Sequence, residues 1–316
     1  MTTYLSALSS ISVLVFLISF ISLLRHFDVL KKENGLLFAK IVTQITLPAV
    51  VFSVISQSKN LEWDYLLIAF YILLSEIFIL FIAWFIGKKM ALNQAQLGTV
   101  MLVSAFGSSA LLGYALIGQV FPANVEAISE AVIVSEFGVG VGLFTIGTMV
   151  AIYFGSSTSE KQTPMQSLII FSKSPLFLAI IAGLSYSALN LPTDIPVIKE
   201  IFKGIELIGK ANTFFVALTV GVLLEFKGIR SILSLVFVAI ILKLFMGPLF
   251  VWLPLSMMEL SKIQLEVSML ETAMPSAMLS VALATKYGCD AQLASKLVFI
   301  TTIFSILTIP LLLGVL

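Results

Sequence analysis

The sequence predicts an all-α membrane protein of ten transmembrane helices, arranged as two inverted five-helix repeats in which the fourth and ninth helices are broken. Three observations carry this. Of the 316 residues, 59% are hydrophobic and 11% charged, against roughly 25% charged in a soluble domain, so the chain has too little polar surface to cover itself in water. Apolar stretches of about 20 residues, enough to cross a bilayer at a helical rise of 1.5 Å per residue, recur ten times along it. Two of them are interrupted near the middle at corresponding places, Ser104-Ala-Phe-Gly-Ser-Ser-Ala-Leu-Leu-Gly113 and Glu271-Thr-Ala-Met-Pro-Ser-Ala-Met-Leu-Ser280. In lipid every backbone N–H and C=O needs a partner inside the protein. A helix is therefore interrupted at membrane depth only where the freed groups face protein, a cavity or a ligand. Matched interruptions in two repeats point to the binding site of a transporter.

The spans follow in order. The first, 5–24, has no positively charged leader, and its apolar run is too long for a signal-peptide core, so it is read as a membrane helix. The second, 36–57, follows the loop Lys31-Lys-Glu-Asn-Gly35 and carries Lys40 and Gln44, and the third, 65–87, carries Glu76 and ends at Gly87-Lys-Lys89. The fourth, 97–121, holds the first interruption; the fifth, 129–154, holds Glu130 and Glu136 and stops at Gly155-Ser-Ser-Thr-Ser-Glu-Lys161. The sixth, 167–190, precedes Leu191-Pro-Thr-Asp-Ile-Pro196, the seventh, 205–224, carries Lys210 and Asn212, and the eighth, 231–254, carries Lys243. The ninth, 265–286, holds the second interruption, and the tenth, 292–315, begins beside Lys296.

Residues 1–160 and 161–316 form the two repeats, with no soluble domain between spans. A shift of 167 residues lays Phe106-Gly-Ser-Ser over Ala273-Met-Pro-Ser and Ser104 over Glu271. Because each half has an odd number of spans, the second half enters the membrane inverted. Arg25, Lys31, Lys32, Lys88, Lys89, Lys161, Lys227, Arg230 and Lys286 collect on one side, against Lys59, Lys199, Lys203 and Lys262 on the other. The positive-inside bias puts the first set in the cytoplasm and both termini outside it.

Several classes are excluded or made improbable. A net charge of +1 leaves no basic field for nucleic acid. One cysteine, Cys289, rules out an internal disulfide or a multi-cysteine metal site, and one histidine, His26, argues against a zinc site or a His-based triad.

Three ordered motifs carry a family resemblance: Leu270-Glu-Thr-Ala-Met-Pro-Ser-Ala-Met278, then Tyr287-Gly-Cys-Asp290, then Thr301-Thr-Ile-Phe-Ser-Ile-Leu-Thr-Ile-Pro-Leu311. With Thr46-Leu-Pro-Ala-Val-Val-Phe52 and Phe106-Gly-Ser-Ser-Ala-Leu-Leu-Gly113 in support, nearly the whole chain resembles the auxin efflux carrier family, bacterial type, related to the plant auxin carriers. The resemblance implies crossing broken helices and transport of small organic anions such as carboxylates. Na⁺/H⁺ antiporters and bile-acid symporters share the inverted-repeat architecture. The departures from the family pattern fall at the site. Ser108 takes a position often held by Asn, Ala115 takes that of a proline, and Glu136 is displaced by one residue from the usual acid.

The candidate substrate-binding residues are Gly107, Ser108, Ser109, Gly113, Pro275 and Ser276. Broken helices expose partial charges, positive at free N–H groups and negative at free C=O groups. Gly107 and Gly113 permit an unwound backbone, Ser108 and Ser109 offer hydroxyls to a carboxylate, and Pro275 removes a donor and frees a carbonyl one turn earlier while Ser276 can donate. The competing reading is a Gly/Ser packing face plus a proline kink. Glu271, Glu136 and Lys296 are the coupling or gating candidates, since intramembrane charges are costly and rare. Glu271 can carry a proton or join a Na⁺ site, and Lys296 can neutralise either acid or the substrate. The alternatives are structural ion pairs, or snorkelling for Lys296. Lys40, Glu76, Lys210, Lys243, Gln44 and Asn212 are weaker candidates for a cavity lining.

The expected function is a secondary active carrier of small organic anions, mono- or dicarboxylates, working by alternating access in the plasma (inner) membrane. A Na⁺/H⁺ antiporter or sodium-coupled symporter is the nearest alternative, and a receptor or sensor on the same scaffold a more distant one. An enzyme is not expected, because neither a His/Asp metal set nor Gly-x-Ser-x-Gly is present. No cofactor is expected beyond H⁺ or Na⁺ as coupling ion. The expected partners are the anion and the bilayer, with a homodimer left open.

Overall fold

A computed structural model of the chain describes residues 13, 16–57, 63–122, 124–155, 169, 172–193, 195–223 and 232–315. These residues are helical nearly throughout and include no strand, only one isolated antiparallel bridge between Gly107 and Ser276. Among the described residues, four helices are long and apolar enough to cross a membrane: Trp63–Lys89, Val125–Phe154, Leu233–Leu255 and Ala291–Gly314. Shorter apolar helices cover Phe16–His26, Gln44–Gln57, Ser109–Val120 and Pro175–Ala188. Half of the first expected span, the start of the sixth, the boundary between the repeats, and Lys59, Lys161, Lys227 and Arg230 lie outside the described residues.

The helix Trp63–Lys89 shows how the sequence sets the packing. It is apolar on all sides, yet Ile68, Ile72, Ser75, Glu76, Ile79 and Ala83 are buried, an inward stripe at helical spacing. Phe70, Leu74, Phe81 and Phe85 stay exposed on the opposite side, as a lipid-facing surface requires. Lys88 and Lys89 end the helix, where cations suit the negative end of its dipole.

Each broken span begins with a capped leading half. Asn93 caps Gln94–Ala105 by accepting from the Gln96 N–H, and Ser261 and Gln264 form a capping box at Lys262–Ala273. The first chain resumes at Ser109–Val120 and the second at Met278–Tyr287.

The helices pack as two groups. Gln94–Ala105 lies against Trp63–Lys89, Leu233–Ile240 and Ala291–Val315, while Lys262–Ala273 lies against Val125–Val134 and Gly247–Leu255. Separately, Leu47–Gln57 packs on Pro175–Ala188 and Pro196–Lys210, and Lys32–Ile41 packs on Asn212–Leu223. Thr46 Oγ1 donates to Asn212 Oδ1 at 2.9 Å and ties this second group together.

The seventh span differs from expectation. Its helix starts at Pro196, nine positions before 205, and is interrupted at Ala211. Pro196 stands in the first helical turn, where the missing N–H costs nothing. Phe202 buries against Phe52 and Tyr186, at ring separations of 5.8 and 5.5 Å. Alternating charges hid this amphipathic turn from a hydropathy reading.

Candidate functional site

The two interruptions meet. Ser108 N–H donates to the Pro275 carbonyl at 2.7 Å and Ala277 N–H donates to the Phe106 carbonyl at 2.9 Å, so a two-bond antiparallel bridge joins the broken helices. This uses four backbone groups that no helix could satisfy. Two carbonyls in the last turn of Gln94–Ala105 accept from the other broken helix, Leu102 O in addition to its bond from Phe106 N–H. Ser276 Oγ donates to Val103 O at 2.6 Å, and Ser280 Oγ donates to Leu102 O at 3.4 Å. Thr301 Oγ1 accepts from the Ser276 N–H at 3.2 Å. At the end of Lys262–Ala273, Met274 N–H donates to Glu271 O at 3.4 Å and the ammonium of Lys243 donates to Thr272 O at 3.0 Å.

A cavity of about 250 Å³ adjoins the crossing and is lined by Gly107, Ser108, Ser109, Ser135, Glu136 and Ala277 to Leu279, with apolar walls from Leu47, Val139, Leu143, Phe144 and Leu176. Ser109 Oγ accepts from Ser135 Oγ at 2.7 Å, whereas Ser108 Oγ is buried with no hydrogen-bond partner. Glu136 Oε1 accepts from Tyr114 OH at 2.8 Å. Of the proposed binding residues, Gly107, Ser108 and Ser109 thus line the cavity. Pro275 and Ser276 are stitched into the crossing beside it, and Gly113 lies outside the lining.

Gly113 is helical, with φ of −60°, so conformational freedom is not what places glycine there. A Cβ at Gly113 would stand 2.7 and 2.8 Å from the two carboxylate oxygens of Glu271. Glu271 is fully buried and neither oxygen has a hydrogen-bond partner. Ser104, its counterpart under the repeat shift, is also fully buried with an unpartnered hydroxyl.

Lys296 forms no ion pair with Glu271 or Glu136 and is only partly buried. It lies five residues before Thr301, roughly 7.5 Å down the helix axis from the crossing. The lysine seated at the crossing is Lys243, within electrostatic reach of Glu76 and Glu271. A lone cation amid Ile241-Leu-Lys-Leu-Phe-Met246 and a lone acid amid the apolar run Tyr65–Gly87 were the available signals for Lys243 and Glu76. Ser280 and Thr301 fall within the quoted motifs, but nothing local marked their contacts or those of Tyr114 and Ser135, whose partners are distant in sequence. Glu136, Ser109 and Lys243 all sit on π-helical segments, Ser135–Gly140, Ser109–Gly113 and Ile241–Met246. Such wide turns gather at functional sites.

Helices long enough to span a bilayer, joined at two interruptions beside a cavity, define a multi-pass membrane protein of the transporter class. A family model described as membrane transport protein matches residues 7–313, and the chain belongs to that family, the auxin efflux carrier family. It is similar to an uncharacterized transporter of Methanocaldococcus jannaschii, 26% identical over 292 residues, covering 91% of this chain and 91% of that one. It is also similar to an uncharacterized transporter of Methanothermobacter thermautotrophicus, 24% identical over 291 residues, covering 92% and 91% respectively.

Proposed function

We propose that the protein is a secondary active carrier of small organic anions, mono- or dicarboxylates, with the cavity at the crossing as its substrate site. The observation that supports this is where the cavity lies. It is lined by the first residues of both resumed helices, Ser109 to Leu111 and Met278 to Leu279. First-turn N–H groups have no intrahelical acceptor, and both helix starts carry partial positive charge, which together favour a carboxylate. Ser108 Oγ adds an unused donor, and the apolar walls suit a small organic body.

The reading extends to the whole chain: ten spans in two inverted repeats, in the plasma membrane, with both termini outside the cytoplasm. Leu47 and Leu176 belong to the second packing group and the crossing to the first, so the cavity is bounded by both. Movement of one group against the other would open it to alternate sides. Glu136 lines the same space, where an ionised carboxylate repels an anion and a protonated one does not. Anion and proton are then taken up together, with Glu271 as the second acid involved in coupling.

Uptake of labelled mono- and dicarboxylates into proteoliposomes under imposed pH or Na⁺ gradients tests the reading. Saturable anion flux driven by an inward proton gradient is the expected result. Absence of anion flux under every gradient overturns it, and Na⁺/H⁺ exchange without anion flux would put an antiporter in its place.

A further inference from the structure

A crossing of broken helices creates two kinds of ends. The resumed halves offer free N–H groups, and the leading halves offer free carbonyls, where a cation is stabilised. At this second position the chain places a side chain of its own. Lys243 Nζ donates to Thr272 O at 3.0 Å, and a Cβ at Gly107 would stand 3.0 Å from Nζ and 3.1 Å from Cε. The ammonium is therefore seated between the carbonyl end of Lys262–Ala273 and the backbone just past Gln94–Ala105. It is buried, and two buried acids flank it, Glu76 and Glu271. All four of their carboxylate oxygens lack a hydrogen-bond partner. No ion pair of 4.0 Å or less joins Lys243 to either acid. The acids thus act on the ammonium as counter-charge at longer range, while its hydrogen bond is to backbone.

We infer that Lys243 is a tethered cation filling the position that a coupling Na⁺ would need at the carbonyl ends of the crossing, so that the protein binds no Na⁺ there. Two kinds of neighbour support an ammonium in that role. The carbonyl supplies the kind of oxygen ligand that a metal cation would take, and the acids supply negative charge without competing for the same contact. The inference deepens the carrier reading by naming the ion that the crossing does not use, but the occupancy itself does not depend on what is carried.

The test uses purified full-length protein in detergent, following the unfolding midpoint and binding of radioactive Na⁺ in choline-, Na⁺- and Li⁺-containing buffers of equal ionic strength. Wild-type protein is expected to unfold at the same temperature in all three and to bind no Na⁺ saturably. Lys243→Ser, which removes the ammonium and leaves a hydroxyl oxygen, is expected to lose about 5–10 °C in choline. It is expected to regain part of this with saturable Na⁺ or Li⁺ binding. Lys243→Arg should remain insensitive to Na⁺. Saturable Na⁺ binding by the wild type overturns the inference, as does a Lys243→Ser protein that matches the wild type in choline. Should Lys243→Ser fail to fold, the wild-type and Lys243→Arg titrations decide alone. Failure of the carrier reading appears only in the uptake panel, so the two outcomes are separable.

Discussion

Four buried charged side chains are each lodged against a glycine: Lys243 at Gly107, Glu271 at Gly113, Glu136 at Gly140 and Glu76 at Gly142. A missing Cβ opens a slot at helix radius, and a long side chain can end in it. Gly113→Ala is expected to push the Glu271 carboxylate aside and destabilise the protein by about 1–3 kcal/mol, the usual cost of overpacking, read as a lower unfolding midpoint. The carrier reading also places specific demands on single residues. Ser108→Ala removes the unused hydroxyl and should raise the substrate concentration for half-maximal uptake by up to about tenfold, the worth of one hydrogen bond, with little change in unfolding temperature. For Glu136 the sign follows from charge: protonation removes repulsion, so anion affinity should rise as pH falls, and Glu136→Gln should flatten that dependence. The groups facing Glu136 are Tyr114, Glu271 and the cavity hydroxyls, and of these only Glu271 is a further acid. An unchanged pH profile in Glu136→Gln protein would remove Glu136 from coupling. At this scale the sequence showed which residues were costly to bury, because a charge in an apolar run stands out. It did not show which of them meet, since Lys296 and Lys243 look alike until the helices are packed.

The broken helices are stabilised by each other. Val103 lies in the last turn of one leading half, and the hydroxyl that satisfies its carbonyl belongs to Ser276 of the other broken helix, while Ser280 adds a second donor to the Leu102 carbonyl that Phe106 N–H already bonds. Ser276→Ala leaves the Val103 carbonyl buried without that donor, which should cost about 1–3 kcal/mol. The expected readout is a lower unfolding midpoint with substrate affinity nearly unchanged; a large loss of affinity without loss of stability would instead make Ser276 a direct ligand. The interruptions themselves were legible, because Gly-Ser-Ser and Met-Pro-Ser inside apolar runs are poor helix continuations. The start of Pro196–Lys210 was not, because its Lys and Glu residues lower the hydropathy while Phe202 alone anchors it in the core.

Across the whole molecule, the cavity is bounded by both packing groups, so fixing one wall to the other should stop transport. In a Cys289→Ala background, Leu47→Cys with Leu279→Cys places one thiol on each group at the cavity. Bridging the two thiols with a bifunctional maleimide long enough to span the cavity is expected to abolish anion uptake, with each single-cysteine protein unaffected, whereas full uptake by cross-linked protein would show that the two groups do not move past each other. The sequence by itself determined that this chain is built for a membrane and that two of its apolar helices break, at Gly107-Ser-Ser109 and at Met274-Pro-Ser276. Those properties follow from local hydropathy and from the backbone's need for partners, and both can be read along a single strand of residues. Only the tertiary structure decided that the breaks pair through Ser108 and Ala277, that a serine from one helix caps the other, and that Lys243 rather than Lys296 sits among the buried acids. These are contacts between residues distant in sequence, made on faces that helical spacing defines but whose facing partners it cannot name.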